Sequence, residues 1–170
     1  MKDAHQYLDF TNIMTYDYVT GGSKRTGHHA NLFMSEFDND KQRNSAKAVQ
    51  EHIEAGIPAH KIVLGVPFYG RYWKGAQPEN NGLYQNAVGE TGGFSYSTIA
   101  DSLSNNAFVS YWDESAKAPY IWREKDSMFI TYENMKSMQY KVDFVKSKNL
   151  GGIMFWQFNE DNGDLLNTIS

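Results

Sequence analysis

The sequence predicts an α/β fold in which parallel strands alternate with helices. Three short apolar runs each lead into large side chains with polar tips, and a segment of helix-spaced apolar residues precedes the second and the third run. Glycine and proline follow the first helical segment, as expected where a helix stops. This alternation is typical of parallel β/α units and not of a β-sandwich.

The three apolar runs predict buried strands with functional residues at their ends. The runs are residues 10–14 before Tyr16 and Asp17, residues 61–66 before Tyr69 and Arg71, and residues 150–155 before Trp156 and Gln157. The C-terminal ends of parallel strands lie at one edge of a sheet. We therefore expect the six side chains that follow these runs to line one binding cavity at that edge. Aromatic surfaces with a few polar groups suit a sugar.

Two segments predict the helices that connect the strands. In residues 43–55, Ala46, Val49 and Ile53 fall at helical spacing, and Gly56 ends the segment. The same spacing recurs in residues 132–148, at Met135, Met138, Val142 and Val145.

The middle of the chain, residues 72–131, predicts a small α+β insertion after the second strand. It is rich in Gly and Asn as far as residue 93, and a short helix is expected over residues 97–103. Three alternating runs, at residues 108–112, 120–122 and 128–132, indicate strands.

Composition narrows the range of partners. The 170 residues carry a net charge of -4 with no basic cluster, so neither nucleic acid nor a membrane is an expected partner. There is no cysteine, which excludes a disulfide scaffold but leaves the compartment open. No secretion signal is visible in the sequence as written. An aromatic fraction of 15% fits either a stacking surface or a rich core.

Three motifs resemble glycoside hydrolase family 18, the chitinases and their relatives. The run 14–17, Met-Thr-Tyr-Asp, resembles the end of the sixth barrel strand of that family. Tyr-Gly-Arg at 69–71 resembles the end of the seventh strand, and Gly-Ile-Met-Phe-Trp at 152–156 resembles the eighth. The middle segment resembles the family's α+β insertion domain. The resemblance covers nearly the whole chain, in the family's order.

The resemblance implies a fold and an activity. The fold is the last three strands of a (β/α)₈ TIM barrel, at 1–72 and 132–170, with the insertion at 73–131. The activity is retaining, substrate-assisted hydrolysis of β-1,4-linked N-acetylglucosamine, in which the substrate's own acetamide attacks the anomeric carbon. Chitin or chitooligosaccharides would be the substrate, with no cofactor and no metal.

The resemblance also implies roles for individual residues. Tyr16 and Asp17 would be catalytic: the Tyr16 hydroxyl would donate to the N-acetyl oxygen, and Asp17 would bind the sugar. Met14, Tyr69, Arg71 and Trp156 would bind substrate, with Trp156 as the floor and Arg71 orienting Asp17 or a sugar hydroxyl.

One feature of the family is missing from the sequence. The family's proton donor ends an Asp-x-x-Asp-x-Asp-x-Glu signature on the fourth strand, and no such run occurs here. A complete barrel of this type takes about 250 residues. We therefore expect the C-terminal part of such an enzyme, beginning just before the sixth strand and inactive alone. The parent enzyme would be secreted, with its signal upstream.

Two other functions stay open at this point. A non-catalytic, chitinase-like sugar binder would keep the aromatic cavity and lose the acid. A structural module is the third reading, because an incomplete barrel leaves open strand edges through which copies could self-associate.

Several further residues have structural interpretations. His28 and His29 are expected in a solvated loop and not at a metal, because no other ligand lies at suitable spacing. Asp164 is expected to be the N-cap of a last helix after a turn at 161–164. Four aromatic residues are expected to form the core of the insertion: Trp73, Tyr84, Trp112 and Trp122.

Overall fold

The computed structural model describes residues 4–40 and 43–170, which form two sheets and four α-helices. The strands are β1 (Thr11–Ile13), β2 (Ile62–Pro67), β3 (Tyr69–Trp73), β4 (Thr91–Ser95), β5 (Val109–Asp113), β6 (Ala118–Arg123), β7 (Met128–Thr131) and β8 (Gly152–Trp156). The helices are α1 (Ser45–Glu54), α2 (Tyr96–Ser104), α3 (Met135–Ser147) and α4 (Asp164–Ile169).

The first sheet is parallel and has the order β1-β2-β8. Its apolar residues pack beneath α1 and α3, in a cluster that includes Ile13, Ile62, Leu64 and Val49. The parallel arrangement predicted from the three apolar runs is therefore confirmed. The strand ends that were expected to share an edge do share it.

The second sheet is antiparallel, with the order β4-β3-β7-β6-β5. Its first strand in the chain, β3, begins at Tyr69. Tyr69 and Arg71 therefore belong to this antiparallel sheet, whereas the sequence predicts them at the end of the second parallel strand. Phe68 lies between β2 and β3 and so connects the two sheets. Its buried ring stacks on Phe155 of the parallel sheet, with 4.5 Å between the ring centroids. Strand β4 also lies in the Gly-rich stretch that sequence patterning assigns to no strand.

A shared core joins the two sheets. Val66 of β2, Ile130 of β7, Ile99 of α2, Met138 of α3 and Leu165 of α4 are all buried in one apolar cluster. This packing sets the antiparallel sheet beside the C-terminal edge of the parallel one.

The helices begin where side chains cap them, which shortens the predicted spans. Asn44 accepts a hydrogen bond from the Lys47 N–H, and α1 starts at the next residue. Asn134 and Ser137 form a reciprocal capping box, so α3 starts three residues later than the predicted 132.

The last helix is capped differently from the prediction. Asp164 is its first helical residue and Gly163, with φ 107°, is the N-cap, so the assignment of Asp164 as N-cap is wrong. The capping acceptor is the Asp161 carboxylate, which receives the N–H groups of Leu165 and Leu166. The Asp161 side chain reaches forward across the turn because Gly163 adopts a left-handed backbone conformation there.

Within the part of the chain that the structure describes, no helix is both long and apolar enough to cross a lipid bilayer.

Candidate functional site

A cavity of about 410 Å³ opens at the C-terminal edge of the parallel sheet. All six residues selected from the sequence as site residues line it. Gln157, also expected at this cavity, is not among the lining residues. The lining residues are Met14, Tyr16, Asp17, Tyr69, Arg71, Gly93, Phe94, Trp156 and Glu160. The antiparallel sheet contributes one wall, through β3 and β4.

Asp17 and Arg71 form a paired charge at this cavity. Arg71 Nε donates to Asp17 Oδ1 and Nη2 donates to Oδ2, each at 2.8 Å, in a two-pronged pair that fixes both side chains. Burial alone would raise the pKa of Asp17, but His29 and the Arg71 guanidinium together hold it well below its usual range. Asp17 is therefore an ionised acceptor whose charge is compensated within the site.

The backbone at Asp17 has a left-handed conformation, with φ 59°. Asp tolerates this region better than most residues, but the conformation is still sparsely populated and costs about 1 kcal/mol or more. The turn places Asp17 toward Arg71 immediately after Tyr16.

A glycine on the next strand makes room for Tyr16. A Cβ at Gly65 of β2 would lie 3.0 Å from Tyr16 Cε1 and 2.5 Å from the Ile13 carbonyl oxygen. A larger residue would clash with the Ile13 backbone and crowd the Tyr16 ring. Gly65 thus explains how the sequence places this ring.

Tyr16 and Tyr69 present phenols that stay protonated. Their rings meet edge to face, 6.2 Å apart. Burial and the Asp17 charge raise the pKa of Tyr16, and the same two causes raise the pKa of Tyr69. The guanidinium of Arg71 lies over the Tyr69 ring, 4.8 Å from its centroid. The Tyr16 hydroxyl is thus available as a hydrogen-bond donor, whereas the Tyr69 hydroxyl already donates to Asp17.

The sequence interpretation of His28 and His29 as a solvated loop is wrong, because both side chains are fully buried. His28 Nε2 lies 3.1 Å from Asp113 Oδ2, which ties this segment to β5. His29 Nδ1 lies 3.6 Å from Asp17 Oδ1, behind the cavity. Sequence pattern gave no sign of this, since the partners are distant in the chain.

Apolar surface forms the open side of the cavity. Trp156 is 57% exposed and Met14 is 71% exposed, although both are large apolar residues. Phe94 supports the same region and stacks on Tyr72 at 4.7 Å. The peptide bond between Trp156 and Gln157 is cis. A flat, exposed indole beside hydrogen-bonding groups can stack on the apolar face of a sugar ring.

The other candidate aromatics are mostly core residues, as predicted. Trp73, Tyr84 and Trp122 are buried in one cluster beneath the antiparallel sheet. Trp112 differs: it is half-buried, stacks on Tyr140, and has the Lys136 ammonium 3.9 Å above its ring.

Glu160 lines the cavity, and sequence reasoning missed it. It ends a short 3₁₀ turn, Phe158–Glu160, directly after β8. Burial raises the pKa of Glu160, and a hydrogen bond from the Gln157 backbone N–H and the Arg71 charge oppose this rise. Its place four residues after Trp156 was the one signal available from the sequence.

In the described ranges, no cluster of three or more His, Cys, Asp or Glu side chains could hold a metal ion.

A model of the glycosyl hydrolases family 18 matches residues 1–161, nearly the whole chain. The chain belongs to glycoside hydrolase family 18. The family resemblance drawn from the three strand-end motifs is thereby confirmed, and with it a similarity to enzymes that hydrolyse glycosidic bonds.

Individual relatives agree with the assignment to family 18. The chain is 38% identical to Chitinase A1 of Niallia circulans, over 94% of this chain and 25% of that protein. It matches the structure of a family 18 N-acetylglucosaminidase from Paenibacillus barengoltzii with TM-score 0.91 and 38% identity, over 99% of this chain and 50% of that one. It matches chitinase ChiW of Paenibacillus, a cell-surface-expressed enzyme, with TM-score 0.93 and 33% identity, over 99% of this chain and 20% of that one. This family 18 chain therefore spans half or less of each of these relatives.

Proposed function

We propose that this chain forms the sugar-binding C-terminal part of an enzyme that cleaves chitin or chitooligosaccharides. The main observation that supports this function is that one cavity brings together Tyr16, the Asp17–Arg71 pair and the exposed Trp156. The likeness to a chitinase and to an N-acetylglucosaminidase supports N-acetylglucosamine as the sugar.

In this proposal, each lining residue has a distinct task. One N-acetylglucosamine ring stacks on Trp156, with Met14 beside it. The protonated hydroxyl of Tyr16 donates to the N-acetyl oxygen and holds the acetamide where it can attack the anomeric carbon. Asp17 accepts from the sugar while Arg71, resting on Tyr69, keeps the carboxylate oriented.

The proposal includes the architecture implied by the family resemblance. Residues 1–72 and 132–170 make the last three strands of a (β/α)₈ barrel, and residues 73–131 make the insertion. Strand β3 spans the 72/73 boundary, so the insertion sheet begins a few residues earlier than this division. The proton donor comes from the acidic signature that this sequence lacks, so the chain alone does not hydrolyse the bond. The parent enzyme acts outside the cell, a placement that the cell-surface relative supports.

A fluorogenic chitobioside tests the proposal directly. We expect no release of fluorophore by the 170-residue chain, but binding of tri-N-acetylchitotriose that weakens in Tyr16→Phe and is lost in Trp156→Ala. Release that disappears in Tyr16→Phe would mean that another carboxylate here donates the proton. Sugar binding that ignores both substitutions would overturn the proposed site.

A non-catalytic sugar binder is the second candidate function. The missing Asp-x-x-Asp-x-Asp-x-Glu signature favours it, because the aromatic cavity needs no acid for binding. The sequence of the full-length gene separates the two: the signature upstream of these strands supports the enzyme, and its absence there supports the binder.

A further inference from the structure

The charged side chains that line the cavity do not balance. Of the described residues that line it, three carry side chains charged at neutral pH: Asp17, Arg71 and Glu160. Asp17 and Arg71 neutralise each other through two hydrogen bonds. Glu160 stands outside that pair, so the lining carries one uncompensated negative charge.

The Glu160 carboxylate has a backbone hydrogen bond from the Gln157 N–H, but its hydrogen-bonding capacity is not filled. Its Oε2 is shielded from solvent and, among the described residues, receives no hydrogen bond. A carboxylate accepts more than one hydrogen bond, and Glu160 lines the cavity, so a bound cation can pair with its charge there. The Arg71 guanidinium acts on Glu160 through its charge, while its Nε and Nη2 donate to Asp17.

The sugar proposed for this cavity offers three kinds of donor: hydroxyls, amide N–H groups and, where an acetyl group is absent, an ammonium. Only the ammonium also balances the charge of the lining. Hydrogen bonds between two ionised groups are roughly twice as strong as those between neutral groups. A carboxylate in the lining can therefore distinguish a sugar unit that carries an amine from one that carries an amide.

We propose that Glu160 makes this cavity favour a partly deacetylated chitooligosaccharide, with the free ammonium of one glucosamine unit bound to the Glu160 carboxylate. The inference rests on the sugar-binding function proposed above. The N-acetylated unit stays beside Tyr16, and the glucosamine is a neighbouring unit of the same oligosaccharide.

Calorimetry with two kinds of trisaccharide tests this. One is tri-N-acetylchitotriose; the other carries two acetyl groups and one free amine, measured as its three positional isomers near neutral pH. We expect one isomer to bind the wild-type chain about 10-fold more tightly than Glu160→Gln, the size of one charge-assisted hydrogen bond. The fully acetylated sugar should change by less than about 2-fold, since it brings no charge.

Glu124→Gln is the matched control. Glu124 is an exposed acid outside the cavity, so this variant removes the same charge from the molecule and not from the site. An equal loss in Glu124→Gln, or no isomer that distinguishes Glu160→Gln from wild type, would overturn the inference and leave the proposed function standing. Binding of neither sugar would overturn both.

Discussion

At the scale of single residues, the site depends on side chains that fix one another. Asp17 has an unfavourable left-handed backbone, and the paired hydrogen bonds from Arg71 compensate for it. Arg71 in turn rests on Tyr69, and His29 closes the rear of the cavity beside Asp17. The acceptor geometry is thus set before any ligand arrives, which is how rigid sites reduce the entropy cost of binding.

Replacing Arg71 tests this preorganisation. Lysine keeps the positive charge but cannot make the planar two-pronged contact. We expect Arg71→Lys to weaken tri-N-acetylchitotriose binding about 10-fold, measured by calorimetry, because the orientation of Asp17 is lost.

Arg123→Lys is the control for that substitution. Arg123 makes the same two contacts, both 2.8 Å, with Asp126 on the surface. We expect no change in sugar affinity there. Equal effects of the two substitutions would contradict a specific role for Arg71.

The burial of His29 predicts a pH dependence of stability. Burial lowers the pKa of its imidazole, so the folded protein holds it uncharged. Below about pH 6.5 the unfolded chain takes up a proton that the folded state does not, so the free energy of unfolding falls as pH falls. We expect a loss of up to about 1.4 kcal/mol from this group between pH 7.5 and 5.5, by urea unfolding.

His29→Gln should flatten that dependence, whatever it does to overall stability. His60→Gln, at an exposed histidine, should leave the slope as in wild type. If His29→Gln and wild type show the same slope, His29 is not held uncharged in the folded protein.

At the scale of elements, a buried lysine on α3 pairs with a glutamate just before that helix and holds α3 to the long segment before α1 through a hydrogen bond. Lys141 of α3 is fully buried, pairs with Glu133, and donates a 2.6 Å hydrogen bond to the Ala30 carbonyl. Ser137 donates to the other Glu133 oxygen at 2.6 Å. Ala30 directly follows His29, so this pair also fixes the rear of the cavity.

Lys141→Met should therefore destabilise the fold strongly. It leaves the buried Glu133 without its cation, at a cost of about 3–5 kcal/mol. Removing both charges, in Lys141→Met with Glu133→Leu, should restore part of that free energy of unfolding, because no charge is then buried unpaired. Chemical unfolding measures both. A double variant less stable than the single one would show that the pair is not the source of the loss.

At the scale of the whole molecule, the parallel sheet has two open edges, β1 and β8. Apolar side chains next to these strands are uncovered, including Phe10, at 58% exposure, and Met14. Unpaired edges with apolar neighbours pair readily with another chain. Self-association through them remains a prediction.

Sedimentation tests that prediction. We expect the mean mass of the chain to rise with concentration, and Phe10→Lys to reduce the rise because a charge disfavours edge pairing. Val88→Lys is the matched control, since Val88 is 92% exposed and does not adjoin the parallel sheet. A monomeric mass at every concentration would contradict self-association.

The sequence alone determined the parallel strands and the identity of most cavity residues. Runs such as residues 61–66 are local patterns, and parallel strands bring their ends to one edge whatever the rest of the chain does. The tertiary structure alone decided the places of Tyr69, His29 and Glu160. Tyr69 joined the antiparallel sheet by pairing with Ser95 of β4, and the rest of its strand pairs with the more distant β7. His29 and Glu160 acquired their roles from burial and from the charges of Asp17 and Arg71, and neither burial nor charge across such distances leaves a local pattern in the sequence.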